Sequence, residues 1–346
     1  MVGAPKFIQT IAVSSRIRLA RNLACFPFPS KMNDGHAAEI LYLVSESLKK
    51  IDPYEYKRYD IGKLSNSEAS LMQEQYLISA ELSKRLKSGA AFVSTDKAVS
   101  IMVNEEDHLR EQYICKGFDL YKAYERLSAI DDGLSGVLDF AFDETLGYLT
   151  ACPSNLGTGM RASVMMFLPG LTRSGELKEI LRAWKSCGMT IRGSFGEGSD
   201  AEGYLYQVSN ERTLGWSEKD ILEQVTEFTM KLCDHELRAR ERLMETAETE
   251  TRDRCLRAYG TLCNCALLDL PEFLKKIAEV KVGIVLGFLK TTKQKEFDEF
   301  VDDMRPAAFC LNNNLEGENE RFYDEVRAET VGNVLPKLVQ VVRRGD

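Results

Sequence analysis

The sequence predicts a mixed α/β region reaching to about residue 238, followed by a helical region over 239–346. Three observations carry this. Apolar runs of strand length, such as 90–93 and 99–103, alternate with stretches whose apolar residues recur at helical spacing. Glycine-rich stretches at 152–161 and 192–198 interrupt them and rule out regular structure there. Beyond about residue 236 the strand-like runs give way to a stretch dense in Glu and Arg and then to further helical patterns, so the boundary falls near 235–240.

Composition narrows the functional classes. At 346 residues the chain suits two or three domains, and its 28% charged and 44% apolar content is ordinary for a soluble globular protein. A net charge of −8 supplies no basic face for nucleic acid. No apolar run approaches the ~20 residues of a membrane helix, so no membrane partner is expected. The first residues lack the long apolar core of a secretory signal. Nine cysteines with no C-x-x-C pair favour reduced thiols and a cytoplasmic setting. His36, His108 and His235 lie far apart in the chain, and no protein-held metal is expected.

In chain order, residues 13–22 read as a strand with Arg16 and Arg18 on one face and Ile17 and Leu19 on the other. One basic face over a core face suits a polyphosphate; a salt-bridged edge strand fits equally. Pro27 and Pro29 make a rigid connector. Residues 35–50 and 67–87 carry helical spacing. The runs 90–93 and 99–103 read as a hairpin joined by the polar turn 94–97, and helix follows over 118–130. Residues 140–150 read as a strand and 162–168 as a core strand. A helix spans 176–187 and ends at Gly188; strands follow at 189–191 and 203–208. Ser217 is an N-cap with Asp220 at N3, opening a helix through Ile221, Val225, Phe228 and Leu232. Residues 236–257 read as a solvated or interface helix, Pro271 opens another, and 320–341 is helical.

Three stretches point to chemistry. Asn104-Glu-Glu-Asp-His-Leu-Arg110 puts three acids, a histidine and an arginine where a buried strand ends, which costs desolvation unless used; the plainer alternative is a solvated acidic turn. Cys152-Pro-Ser-Asn-Leu-Gly-Thr-Gly-Met-Arg161 lets backbone amides approach a ligand at Gly157 and Gly159; the alternative is a glycine turn beside a surface arginine. Arg192-Gly-Ser-Phe-Gly-Glu-Gly198 reads as a lid. Arg16, Arg18, Arg110, Arg161 and Arg192 together suit a triphosphate, since the guanidinium fork matches phosphate oxygens. A P-loop and a kinase catalytic loop are both absent from the sequence. Glu106 and Glu197, each beside such an arginine, suit a guanidinium acceptor: two carboxylates can grip its planar edges and take a proton as the N–P bond forms.

These four motifs, with Ser14-Ser-Arg-Ile-Arg18 first, stand in the order seen in the ATP:guanido phosphotransferases, the phosphagen kinases. The chain most resembles the bacterial protein-arginine kinase branch, the McsB type. Its ATP motif stands near the start, as in a phosphagen kinase without the N-terminal helical domain, which implies an open site able to admit an arginine on a protein. The resemblance implies an α+β fold, an antiparallel sheet flanked by helices of the phosphagen kinase and glutamine synthetase-like kind, then an all-helical C-terminal domain. It implies Mg²⁺–ATP as cosubstrate, bound by Ser14, Ser15, Arg16, Ile17 and Arg18, by Arg110, by Arg161, Ala162, Ser163, Val164 and Met165, and by Arg192, Gly193, Ser194, Phe195, Gly196 and Glu197. Glu106 is the implied catalytic carboxylate, Glu197 grips the target guanidinium, and Arg110, Arg161 and Arg192 complete the catalytic set. Cys152 matches the family's reactive cysteine; the plainer and preferred reading is that it tunes its loop.

Implied partners are arginine-bearing protein substrates, an activator protein, a Clp-type protease system in protein quality control, and a second copy in a homodimer. Two departures stand out. Tyr76 occupies the place of a histidine that contacts nucleotide in this branch, and Tyr323 replaces the first arginine of its phosphoarginine pocket, of which Asp324 and Arg327 remain. Two alternatives are a kinase for a small guanidino compound and a catalytically silent phosphoarginine-binding adaptor.

Overall fold

The computed structural model describes residues 6–51, 55–184, 187–193 and 202–343. The elements are α1 Lys6–Gln9, β1 Ala12–Arg21, α2 Asp34–Ile51, β2 Tyr56–Asp60, α3 Asn66–Glu74, β3 Ala90–Ser94, β4 Val99–Val103, β5 Leu109–Lys116, α4 Leu120–Ser135, β6 Phe142–Asp143, β7 Gly147–Tyr148 and β8 Met160–Phe167. There follow α5 Pro169–Ser174, α6 Glu176–Trp184, β9 Met189–Gly193, β10 Leu205–Asn210, α7 Glu218–Asn264, α8 Leu270–Val285, β11 Leu289–Lys290, α9 Gln294–Asp303, α10 Pro306–Asn313, α11 Glu320–Leu338 and β12 Gln340–Val341. The chain divides into two units, one of Met1–Met166, Ile180–Ile191 and Gln207–Leu232, the other of Phe167–Glu179, Arg192–Tyr206 and Cys233–Asp346. No helix among the described residues is long and apolar enough to cross a membrane.

The first unit is built on an eight-stranded sheet in the order β2-β3-β4-β5-β1-β8-β10-β9. The pairings from β2 through β1 to β8 are antiparallel. Strand alternation gives the sheet two unlike faces. On one, Ile17 and Leu19 of β1 are buried with Leu120, Leu127 and Leu134 of α4, which packs across β1 and β5. Burying each such aliphatic side chain stabilises by about 1.5–3 kcal/mol. On the other face, the registers Arg16↔Ser163, Arg18↔Arg161 and Met102↔Arg110 set the arginines of three strands side by side. The far end of that face is closed by a cluster in which Ala91, Val93 and Met102 pack with Ile61, Met72, Leu77, Ile78 and Leu82.

The second unit has a core around Phe273, Phe297, Phe309, Val331 and Leu335, drawn from the end of α7 and from α8 to α11. Asp269 caps α8 by accepting from Glu272 N–H at 2.6 Å, and Asn319 caps α11 at Phe322 N–H. Helices dominate the described residues beyond 239, where β11 and β12 add a two-residue ribbon. The helix expected at 236–257 is part of α7, which kinks at Ala247. It is not solvated throughout: Glu236 is buried and accepts from Gly170 and Leu171 N–H, both at 2.9 Å, which caps α5.

Three local expectations change. The helix expected over 67–87 stops at Glu74, because Tyr76 takes a left-handed conformation (φ 57°) and its carbonyl accepts from Gln112 of the sheet. The strand expected at 140–150 is a small ribbon, β6 and β7. Its turn is held by the Asp143 carboxylate, which accepts from Thr145 and Leu146 N–H at 2.8 and 2.9 Å. The strand expected from Gly203 begins at Leu205, after Gly203 and Tyr204 both adopt positive φ.

Candidate active site

Four arginines gather on the sheet face that α4 does not cover: Arg16 and Arg18 of β1, Arg110 of β5 and Arg161 of β8. Arg16 donates to Gln207 Oε1 at 3.1 Å, and Arg161 reaches Ser209 Oγ at 3.4 Å. Arg110 donates to Glu105 Oε1 at 2.7 Å. The Arg18 Nε is buried without a hydrogen-bond partner. Burial, with Arg110 and Arg161 beside it, pushes the Arg16 guanidinium down to about 10. Arg18 is driven well below its usual value by burial and then by Arg16, Arg110 and Arg161. Positive charge held this way is costly without an anion to answer it.

The acidic turn between β4 and β5 divides its polar residues by role. Asn104 takes φ 62°, and its side-chain amide donates to the Ala37 and Ser88 carbonyls at 3.0 and 2.8 Å. Glu105, 2% exposed, accepts from Arg110 and from Ser79 Oγ. Asp107 is buried and accepts from Asn22 Nδ2 at 2.6 Å and Ala151 N–H at 2.7 Å, which ties the turn to the segment before Cys152. His108 is fully buried: its Nδ1 accepts from Leu23 N–H at 3.0 Å and its Nε2 donates to the Pro27 carbonyl at 3.0 Å. Burial lowers its pKa and keeps it neutral. Glu106 alone stands exposed at the tip. Partial desolvation, with Asp107 and Glu105 as neighbours, raises its carboxyl above the ordinary value.

The segment 152–159 is held by backbone packing. A Cβ at Gly159 (φ 64°) would lie 2.6 Å from the Ala20 carbonyl, and one at Gly157 (φ 100°) 2.5 Å from the Thr213 carbonyl. Arg21, fully buried on the α4 side of β1, donates to Thr158 O at 2.9 Å and to both carboxylate oxygens of Asp131 on α4. The Tyr148 ring covers its guanidinium at 3.6 Å. The Cys152 Sγ lies 3.0 Å from Ser154 Oγ.

Of the other nominated positions, Ser14 and Met165 pair in register on the arginine face, as Ser163 does with Arg16. Ser15, Ile17, Ala162 and Val164 are buried. Ser15 Oγ is spent on scaffolding: it donates to Gly117 O and accepts from Asp119 N–H. Arg192, exposed, and Gly193 end β9 and belong to the second unit. Ser194, Phe195, Gly196 and Glu197 lie outside the described residues, as does the rest of the expected lid up to Gly198. In the second unit Tyr323 donates to Leu315 O at 2.8 Å, and the buried Arg327 donates to Asp324 at 2.9 Å and to Leu268 O at 2.8 Å. No cluster of His, Cys, Asp or Glu able to hold a metal occurs among the described residues.

Sequence reasoning counted Glu105 among the acids of its turn without giving it a role, and did not single out Ser79 or the Arg21–Asp131 pair. The one available signal was parity: Arg21 falls out of step with Arg16 and Arg18, and so points to the core.

The chain matches two family models, the ATP:guanido phosphotransferase C-terminal catalytic domain over residues 39–239 and the protein-arginine kinase McsB C-terminal domain over residues 248–342. It is 39% identical over 305 residues to the protein-arginine kinase of Caldanaerobacter subterraneus subsp. tengcongensis, covering 87% of this chain and 90% of that one. It is 42% identical over 300 residues to the protein-arginine kinase of Halalkalibacterium halodurans, covering 86% and 84%. Among solved structures it is similar to lombricine kinase, with TM-score 0.59 at 25% identity over 66% of this chain and 67% of that one.

Proposed function

The chain belongs to the ATP:guanido phosphotransferase family, and on that footing we propose a protein-arginine kinase, moving the γ-phosphoryl group of ATP to the guanidinium of arginine residues in proteins. The observation that carries this reading is the crowd of desolvated guanidinium groups beside one exposed carboxylate, Glu106. Arg16, Arg18, Arg110 and Arg161 hold the triphosphate and offset charge as it builds on the transferring group. They are already fixed by the sheet, so little reorganisation accompanies the reaction. Mg²⁺ bound with the nucleotide would supply further positive charge to the phosphate oxygens.

Glu106 accepts a proton from the attacking guanidinium nitrogen. As the N–P bond forms, the bond from the γ-phosphorus to the bridging oxygen breaks and ADP leaves with that electron pair. Its raised pKa brings it closer to the working pH, which favours proton acceptance. By family membership we assign Arg192 to the nucleotide and Glu197 to the target guanidinium, and place the boundary between catalytic and C-terminal regions at 238/239. A cytoplasmic homodimer, an activator protein and a Clp-type protease system are proposed on the same ground.

The test offers an unfolded arginine-containing protein and free arginine separately with Mg²⁺–ATP. Acid-labile phosphate on the protein, at a far higher rate than on free arginine, is the expected result. The reverse preference would make this a kinase for a small guanidino compound, and labelling of neither would leave only a phosphoarginine-binding role.

A further inference from the structure

Among the described residues few large apolar side chains are exposed, and one group of them lines neighbouring hollows. Val137, Phe142, Leu146 and Leu214 are 46%, 59%, 40% and 48% exposed. They line two adjoining hollows of the first unit, which share Phe142 and Tyr148. Monomeric proteins seldom leave such side chains grouped unless something covers them. Among the described residues that line the hollows the charged ones are Asp139, Glu144 and Glu218, all acidic; Glu218 lies 3.8 Å from the buried Arg21, which leaves Asp139 and Glu144 to set the charge of the rim.

The group is also tied to the site. From Tyr148 the chain runs straight into Leu149, whose carbonyl accepts from Asn22 Nδ2, and into Ala151, whose N–H binds Asp107, the neighbour of Glu106. Gly157 bridges back to Gly147 and Tyr148, so the ribbon and the glycine-rich segment are locked together.

We propose that this apolar, acid-rimmed surface docks the stretch of a substrate protein that flanks its target arginine. The inference rests on the protein-arginine kinase reading and adds the kind of segment preferred, one that is extended, apolar and basic. Charge complementarity selects this occupant: an arginine-bearing segment is cationic, and the charged residues lining the hollows are acidic. An unfolded segment exposes the apolar residues that a folded protein hides. Binding energy gathered there, away from the reacting atoms, holds the arginine in place for transfer.

The experiment compares the wild type with Phe142→Ser/Leu146→Ser and with Phe142→Leu. Both positions are exposed, and surface changes of this kind leave folding stability nearly unchanged. In the double variant KM for an unfolded arginine-rich, apolar protein should rise about tenfold, the scale of losing one anchor in an interface. KM for ATP, KM for an arginine peptide flanked by glycine and serine, and kcat should hold, and Phe142→Leu should retain the wild-type value. Anisotropy of the labelled unfolded protein without ATP should show the same loss of affinity. That readout keeps the proposal testable even where the wild type labels no arginine, a result that would sink the kinase reading instead. Unchanged KM and unchanged anisotropy would overturn the proposal, as would equal changes for every substrate. So would a dimer that dissociates in the double variant while KM stays constant, which would assign the surface to a second copy of this chain.

Discussion

Arg18 of β1 and Arg161 of β8 are direct partners in the sheet register, two like charges set opposite each other on one face. Cross-strand like charges destabilise by about 0.2–1 kcal/mol, and more where water is excluded. The arrangement makes sense in a protein whose arginine face binds a polyanion, which offsets the repulsion. Replacing Arg18 by Met should therefore raise the melting temperature of the ligand-free protein by a few degrees, in line with about 1 kcal/mol in a domain of this size. The same variant should lose the stabilisation that ATP gives the wild type. Thermal melts with and without ATP measure both; a variant that is less stable and still stabilised by ATP would contradict the account.

The acid limb of activity should report Glu106. Desolvation and its acidic neighbours raise its pKa, so it protonates at higher pH than an ordinary glutamate, and the protonated form can accept no proton. Activity should fall as pH drops through a value above the usual ~4.3. In Glu106→Gln the limb should vanish along with about 10²–10⁴ of kcat. A pH–rate profile over the weakly acidic range shows whether it does.

His108 makes a separate prediction about stability. Its folded pKa lies below the unfolded value because it is buried and neutral, with Nδ1 accepting from Leu23 N–H. The unfolded chain therefore binds the proton more readily. This contribution to stability is complete above about pH 6.5 and is lost as pH falls below that value toward the folded pKa. Melting temperature should decline over that window in the wild type, and less steeply in His108→Asn, whose amide oxygen can still accept from Leu23. Equal slopes in the two proteins would show that other groups set the decline.

Free phosphoarginine should activate weakly or not at all. At the position where an arginine is expected, Tyr323 is turned to the Leu315 carbonyl, while Arg327 is engaged by Asp324 and Leu268. Neither position offers the free pair of guanidinium forks that a phosphoryl group needs. Titrating phosphoarginine into an activity assay gives the answer, and strong activation would refute it.

The sheet and the arginine face were legible in the sequence, because period-2 alternation in residues 13–22 assigns Arg16 and Arg18 to one side whatever they meet. What alternation cannot reveal is the partner across the fold. Parity turns Arg21 away from Arg16 and Arg18, but nothing local names Asp131, 110 residues away, as the group that holds it. His108 stands in the acidic turn as if it were a reactive group, and only the Pro27 carbonyl and Leu23 amide show it to be scaffolding. Residues 67–87 keep helical spacing beyond Glu74, yet contacts from Gln112 and Ser100 to the Tyr76 and Leu77 carbonyls take the backbone elsewhere. Tertiary hydrogen bonds outweigh local propensity at these places, and they leave no local trace.

Intact mass of an unfolded arginine-containing protein, after incubation with this enzyme and Mg²⁺–ATP, tests the central claim most directly. The account predicts added phosphoryl groups that disappear on mild acid treatment, and none at all with Glu106→Ala. Phosphoryl groups that survive acid, or that accumulate equally with the variant, would contradict it.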